Sequence, residues 1–220
     1  MSNQYLSSEM MYTIDQFTIN KIGIPSAVLM ERAAYSAFIG MEKYLSKNDF
    51  ILIVAGSGNN GADAIALARI LYLDRFNVHL YITNSNNHSD GMASQMKIAE
   101  NISLPMSDTL EPELFDRASY IVDGLLGIGI SREIEGDYKT IIECINKQND
   151  STIVALDIPS GLSAKTGEPF ETITQADMTY TFGFLKKGMD TEIGKELCGK
   201  IDICDLGYPE NTLRDENILS

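Results

Sequence analysis

The sequence predicts an α/β fold, with a mostly parallel sheet covered by helices on both faces. Three observations carry the expectation. A short apolar run at 51–54 leads through the glycine-rich turn Gly56-Ser57-Gly58-Asn59-Asn60-Gly61 into helix formers at 62–71, the strand–turn–helix order that opens an α/β pocket. Further apolar or β-branched runs at 77–83, 120–123 and 152–157 alternate with helical segments. Such alternation calls for parallel crossovers and helices on both faces. Finally, three of these runs end in polar residues suited to chemistry: Asn59-Asn60, Asp123, and Asp157 with Ser160.

Residues 8–20 predict a short amphipathic helix with Met11, Ile14, Phe17 and Ile19 on its apolar side. Gly23-Ile24-Pro25 breaks it, and Ser26 is placed to cap a long helix over 27–45 with Val28, Leu29, Ala33, Ala37 and Met41 inward. Glu31 and Arg32 in that helix read either as a solvated face or ion pair, or as one wall of a pocket. Ser89-Asp90 can cap a helix reaching 101, residues 110–117 suit a shorter one, and 135–147 another. Beyond Asp177, residues 178–182 and 200–205 look like further strands with little helix between. No repeat, low-complexity tract or linker interrupts the chain, so residues 1–220 are expected to form one domain.

At 220 residues the chain can bury one sizeable core. A formal net charge of −14 disfavours nucleic acid and anionic membrane surfaces, which select basic footprints. An anionic ligand would therefore be held by backbone N–H groups and a few local cations. Three widely spaced cysteines (Cys144, Cys198, Cys204) with only His79 and His88 make no zinc pattern. They suit a reducing, cytoplasmic setting. No signal-peptide pattern opens the chain, and no apolar run approaches a membrane span.

Residues 56–61 satisfy G-x-G-x-x-G, and a helix amino terminus with free N–H groups suits a phosphate. A dinucleotide fingerprint also wants a carboxylate about 20 positions on, at the end of the second strand. Here Thr83-Asn84-Ser85-Asn86 stands there instead, which speaks for a phosphate-bearing ligand more than for hydride transfer. Asn59, Asn60 and Asp63 either line that pocket or serve the turn and the helix dipole. In an open parallel sheet the strand ends meet at one rim. There Asn, Asp and Ser oxygens suit a hard cation. The glycines of Gly127-Ile128-Gly129 allow close backbone approach, and Arg132 is placed to meet a phosphate.

In order and spacing, GSGNNGADA, IVDGLLGIGISREIEG and ALDIPSGLSAKTG resemble the YjeF N-terminal domain, the NAD(P)H-hydrate epimerase family. IGIPSAVLMERAA, TYTFGFLKKGM and GKIDICDLGYP extend the likeness over about residues 9–209. The resemblance implies a Rossmann-like three-layer αβα sandwich and one K+ per subunit. It also implies epimerisation of the S and R forms of hydrated NADH and NADPH (NADHX and NADPHX), a nicotinamide-nucleotide repair reaction. Carried over by position, Asn60, Asp123 and Ser160 match the potassium ligands. Asn59, Asn60, Gly61, Ala62 and Asp63, the loop Gly127, Ile128, Gly129, Ile130, Ser131, Arg132 and Glu133, and Asp157 match substrate-binding positions. Where the family has glycines this chain has Ala62 and Ala64; Ile128 replaces a threonine, and Ser163 and Lys165 stand where acidic residues are common. The resemblance further implies a separate NAD(P)H-hydrate dehydratase working alongside, since 220 residues leave no room for a fused one, and a possible homodimer.

Hydrated NAD(P)H bears a hydroxyl on a ring carbon beside the ring nitrogen. Protonated, that hydroxyl leaves as water while the nitrogen lone pair forms an iminium; return of water to the other face completes epimerisation. Asp157 is the expected catalytic acid and base. The competing reading is a catalytically weak nucleotide-binding or scaffolding module of the same fold, motivated by Ile128, Ser163 and Lys165. A nicotinamide-dependent dehydrogenase is a distant third.

Overall fold

The computed structural model describes residues 4–83 and 88–219. Its strands are β1 (Tyr5–Leu6), β2 (Phe50–Ala55), β3 (Asn77–Ile82), β4 (Met106–Ser107), β5 (Tyr120–Gly124), β6 (Thr152–Leu156), β7 (Met178–Phe182), β8 (Leu185–Lys186) and β9 (Lys200–Cys204). The α-helices are α1 (Ser8–Phe17), α2 (Ser26–Glu42), α3 (Asn59–Leu73), α4 (Asp90–Asn101), α5 (Pro112–Asp116), α6 (Gly136–Asn146), α7 (Glu192–Cys198) and α8 (Glu210–Asp215). Seven strands form one parallel sheet in the order β4-β3-β2-β5-β6-β7-β9, and β1 pairs with β8 beside it. This is the expected α/β layering. Chain order runs outward from β2 to β4, then returns to continue from β5 on the other side. The reversal opens a crevice between the carboxyl ends of β2 and β5.

The core explains the strand composition. Ile51, Ile53 and Ala55 of β2 pack with α2, α3 and α4, whereas Leu52 and Val54 pack with α5 and α6. A parallel strand covered on both faces is apolar throughout rather than alternating. Each fully buried Ile or Leu here contributes about 1.5–3 kcal/mol relative to exposure. α3 lies between α2 and α4, so Ala62, Ala64, Ala66 and Ala68 are all buried; small side chains let three helices approach.

Several expectations are corrected. α3 starts at Asn59, so Asn59, Asn60 and Gly61 form its first turn rather than a preceding loop. Ser26 is the first residue of α2 and makes no capping bond; Pro25 is the N-cap. Val28 is exposed, because α2 turns its Leu29–Ala33–Ala37–Met41 stripe to the core. α1 runs on through a wider π turn, Thr18–Ile22, ended by Gly23 at φ 86°. The stretch after β7 holds α7 as well as strands, and α8 follows β9. Ser89 does cap α4, accepting from Met92 N–H at 3.2 Å. Residues 84–86, which follow the second predicted strand, lie outside the described residues.

Candidate active site

The first part of the site is the turn between β2 and α3. Its N-cap is Gly58, which supplies no side-chain cap, so the first N–H groups of the helix remain available to an anion. A Cβ on Gly61 would stand 1.8 Å from the Gly56 carbonyl oxygen, and one on Gly56 would stand 1.9 Å from that of Leu125. Only glycine lets the turn close against the β5 loop. Tyr138 of α6 reaches over the same turn: its hydroxyl accepts from Ser57 N–H at 3.0 Å and lies 3.3 Å from Thr83 Oγ1.

Beneath the turn sits a buried polar knot. Asp123 Oδ1 accepts from Ser160 Oγ at 2.7 Å and from Leu125 N–H at 3.1 Å, and Oδ2 accepts from Ser160 N–H at 2.9 Å. Ser160 Oγ accepts from Leu126 N–H at 2.9 Å. Asn60 donates to the carbonyls of Leu126 (3.0 Å) and Leu156 (3.1 Å). These bonds bring together α3, the β5 loop and the β6 loop, as the strand-end argument expects. Burial pushes the Asp123 carboxyl up, against the opposing hydrogen bonds from Ser160 and Leu125. The buried Asn60 Oδ1 takes no hydrogen bond. An orphaned carbonyl oxygen beside a buried carboxylate and a hydroxyl fits a hard cation. Among the described residues no group of three His, Cys, Asp or Glu could hold a metal, so a cation here would rest mainly on amide, hydroxyl and backbone oxygens.

Asp157 follows β6 with φ 64°, a left-handed conformation that costs a non-glycine residue on the order of 1 kcal/mol or more. The surroundings impose it: Asp157 N–H donates to the Tyr180 carbonyl at 2.8 Å, and Oδ1 accepts from Phe182 N–H at 3.2 Å. Oδ1 is also ion-paired with Lys186, which sequence reasoning missed. The Lys186 side chain is buried, and its ammonium donates in addition to Thr181 Oγ1 (2.8 Å) and the Phe182 carbonyl (2.9 Å). All three of its donors are therefore used. The other carboxylate oxygen, Oδ2, points toward the β5 loop, 3.7 Å from where a Gly127 Cβ would lie. One oxygen is locked and the other faces the crevice.

The 127–133 loop is only partly drawn in. Gly127 lies beside Asn60 and Asp157. Ile128 packs against the apolar groups around Phe184 and Leu185, and Ile130 against the α6 side. Gly129, Ser131, Arg132 and Glu133 are exposed. Glu133 accepts from Glu171 N–H at 3.0 Å, which ties down the loop's far end. Asn59 is exposed at the rim, whereas Asn60, Gly61 and Ala62 are buried. Glu31 is ion-paired with Arg69 and Arg32 with Asp205, so both form ion pairs, though with partners distant in the sequence rather than local ones.

A second polar pair lies close enough to Asp157 to feel its charge. Tyr208 donates to Asp15 Oδ1 at 2.5 Å, and its ring stacks on Phe184 with centroids 5.9 Å apart. Burial pushes the Asp15 carboxyl up, with the Asp157 charge adding, against the Tyr208 hydrogen bond and Lys186. Asp63, partly buried on the first turns of α3, is pushed well up by burial, then by Asp157 and Asp15. Burial and the nearby Asp15 hold Tyr208 far above the usual phenol range.

Comparisons with known proteins identify the family. Residues 26–188 match the model of the family described as YjeF-related protein N-terminus. The chain belongs to that family. A protein of Oenococcus oeni named NAD(P)H-hydrate epimerase is 37% identical over 217 residues, covering 96% of this chain and 100% of its own length. Proteins of the same name from Limosilactobacillus fermentum and Limosilactobacillus reuteri are 37% and 40% identical, each covering 98% of its own length and 93% and 94% of this chain. The crystal structure of the yeast protein YNL200c superposes with a TM-score of 0.78 at 20% identity, covering 91% of this chain and 87% of its own; that likeness concerns the fold.

Proposed function

We propose that this chain is an isomerase, an NAD(P)H-hydrate epimerase that interconverts the S and R forms of NADHX and NADPHX. The observation that carries the reading is Asp157: a strained carboxylate, locked at Oδ1 by Lys186 and open at Oδ2, in a chain 37–40% identical to proteins named for that activity. The α3 amino terminus receives the phosphates, and the 127–133 loop covers the dinucleotide. Asp157 Oδ2 exchanges a proton with the departing or returning water, and its charge stabilises the cationic iminium between those steps. Asn60, Asp123 and Ser160 would hold a potassium ion, whose charge would balance the buried carboxylate where α3 meets the β5 and β6 loops. The substrate is a free small molecule, and a separate dehydratase acting on one epimer consumes the product. The free thiols fit work in the cytoplasm. A homodimer is the expected assembly, and residues 1–220 act as one YjeF N-terminal-like domain.

The scaffold alternative is not favoured, because this chain's departures from the family pattern, including the Ile128, Ser163 and Lys165 that motivated it, have structural uses. Ala64 Cβ lies against Gly124, and Ala62 near Gly91, so both methyls pack α3 rather than fill the pocket. Ile128 is packed, Ser163 accepts from Thr166 N–H at 3.2 Å, and Lys165 is 3.3 Å from Glu9 on the surface. The test is Asp157→Asn. It should retain hydrate binding by calorimetry and lose epimerisation by two orders of magnitude or more, by roughly the contribution of general acid–base catalysis. Near-normal turnover would refute the assignment.

A further inference from the structure

Epimerisation through an iminium has a stereochemical demand that one carboxylate does not meet. The hydroxyl leaves from one face of the ring and water returns to the other, so protons must be handled on both faces. Asp157 serves one. Its neighbours point to the other. Phe182 N–H bonds Asp157, and two residues on Phe184 stacks on Tyr208; between them a Cβ on Gly183 would stand 2.4 Å from Tyr208 Cε2. On the loop side, Gly127 faces Asp157 Oδ2 while the next residue, Ile128, packs on the apolar group that includes Phe184 and Tyr208. The Asp15–Tyr208 pair and Asp157 thus flank the same loop and the same turn. Asp15 Oδ1 is occupied by Tyr208, and among the described residues no such bond reaches Oδ2, repeating the one-oxygen-locked design of Asp157. Asp63 shares the field, but no side-chain hydrogen bond among the described residues aims it.

We propose that Asp15, oriented by Tyr208, is the second acid–base group of the site and serves the ring face opposite Asp157. This rests on the epimerase reading. In one direction, Asp15 in its acid form protonates the hydroxyl; the C–O pair leaves with oxygen as water, and the ring nitrogen lone pair forms the iminium. A water then adds to the opposite face, giving its proton to the Asp157 carboxylate. The reverse reaction starts from protonated Asp157 and ionised Asp15, and solvent resets the two. Burial raises the Asp15 pKa and so favours its acid form, while Lys186 pairs with the Asp157 carboxylate.

The test uses separated S and R NADHX in water enriched in oxygen-18, followed by mass and chromatographic analysis. The wild type should epimerise and label both forms. Asp15→Asn should epimerise at least about 100-fold more slowly yet still label one epimer without converting it, because Asp157 can remove and return water on its own face. Asp157→Asn should label only the other epimer. Tyr208→Phe, the fallback if Asp15→Asn does not fold, should show the Asp15→Asn pattern in weaker form. Wild-type epimerisation by either Asp15→Asn or Tyr208→Phe overturns the proposal. So does equal loss of labelling in both epimers by a folded Asp15→Asn, which would mark a structural role. A wild type that neither epimerises nor labels would instead refute the epimerase reading.

Discussion

Replacing Lys186 with methionine isolates the interaction that holds the candidate catalytic carboxylate. The Lys186 side chain is 1% exposed and that of Asp157 is 12% exposed, so solvent screening is weak and the rules for buried pairs apply. Removing one partner leaves an uncompensated buried charge, which costs about 3–5 kcal/mol. Thr181 Oγ1 and the Phe182 carbonyl lose a donor as well. The double variant Lys186→Met/Asp157→Asn removes both charges, and it should recover about 2–3 kcal/mol relative to the sum of the single losses, a coupling typical of contacting residues. The chain has no tryptophan, so urea unfolding is best followed by far-ultraviolet circular dichroism. A Lys186→Met loss below about 1 kcal/mol, or a double variant no better than the additive sum, would refute the claim that this pair locks Asp157.

Other expectations follow from the packing and the charges. Gly124→Ala would bring a Cβ within 2.4 Å of Ala64 Cβ and should cost about 1–3 kcal/mol; adding Ala64→Gly should restore much of the melting temperature. In folded wild type, Asp15 binds its proton to higher pH than in the unfolded chain, because burial raises its pKa. Its contribution to stability therefore falls as pH rises from the ordinary carboxylate range through the raised value. Asp15→Asn should gain stability over wild type across that window, measured by urea midpoints at several pH values, and a loss would contradict the sign. Ser160→Ala removes the acceptor of Leu126 N–H and a donor to Asp123 and should cost about 1–3 kcal/mol. It should also shrink any melting-temperature increase on replacing sodium with potassium.

The central fold was legible because its signals are local and strong. The run 51–55 is apolar at every position because both faces are covered, and the glycine turn leaves few alternatives to a strand–helix junction. Asn60, Asp123, Asp157 and Ser160 could be read as one site because parallel strands bring their carboxyl ends to one rim. The start of α3 was misplaced because Asn and Gly look like turn residues, and only hydrogen bonds such as Ala62 N–H to the Gly58 carbonyl show them inside the helix. Lys186 was hidden for a different reason. It sits in a Lys-Lys pair, and only the pairing of β1 with β8 and the fold of the turn after β7 bury one of the two. Asp15 lies on a helix whose pattern marks it as a polar position, while its partner Tyr208 is 193 residues away. Such pairings belong to tertiary structure and leave no periodicity. Helices α7 and α8, at seven and six residues, are too short to produce one.

The most direct test of the account places the protein in a mixture of S and R hydrates with an S-specific dehydratase, its nucleotide cofactor and potassium. With dehydratase alone the R form persists apart from slow spontaneous epimerisation. Adding this protein should make R disappear promptly, and Asp157→Asn should abolish the effect. If R decays no faster than in the blank while the protein still binds the hydrate, the pocket binds without turnover and the epimerase account is contradicted.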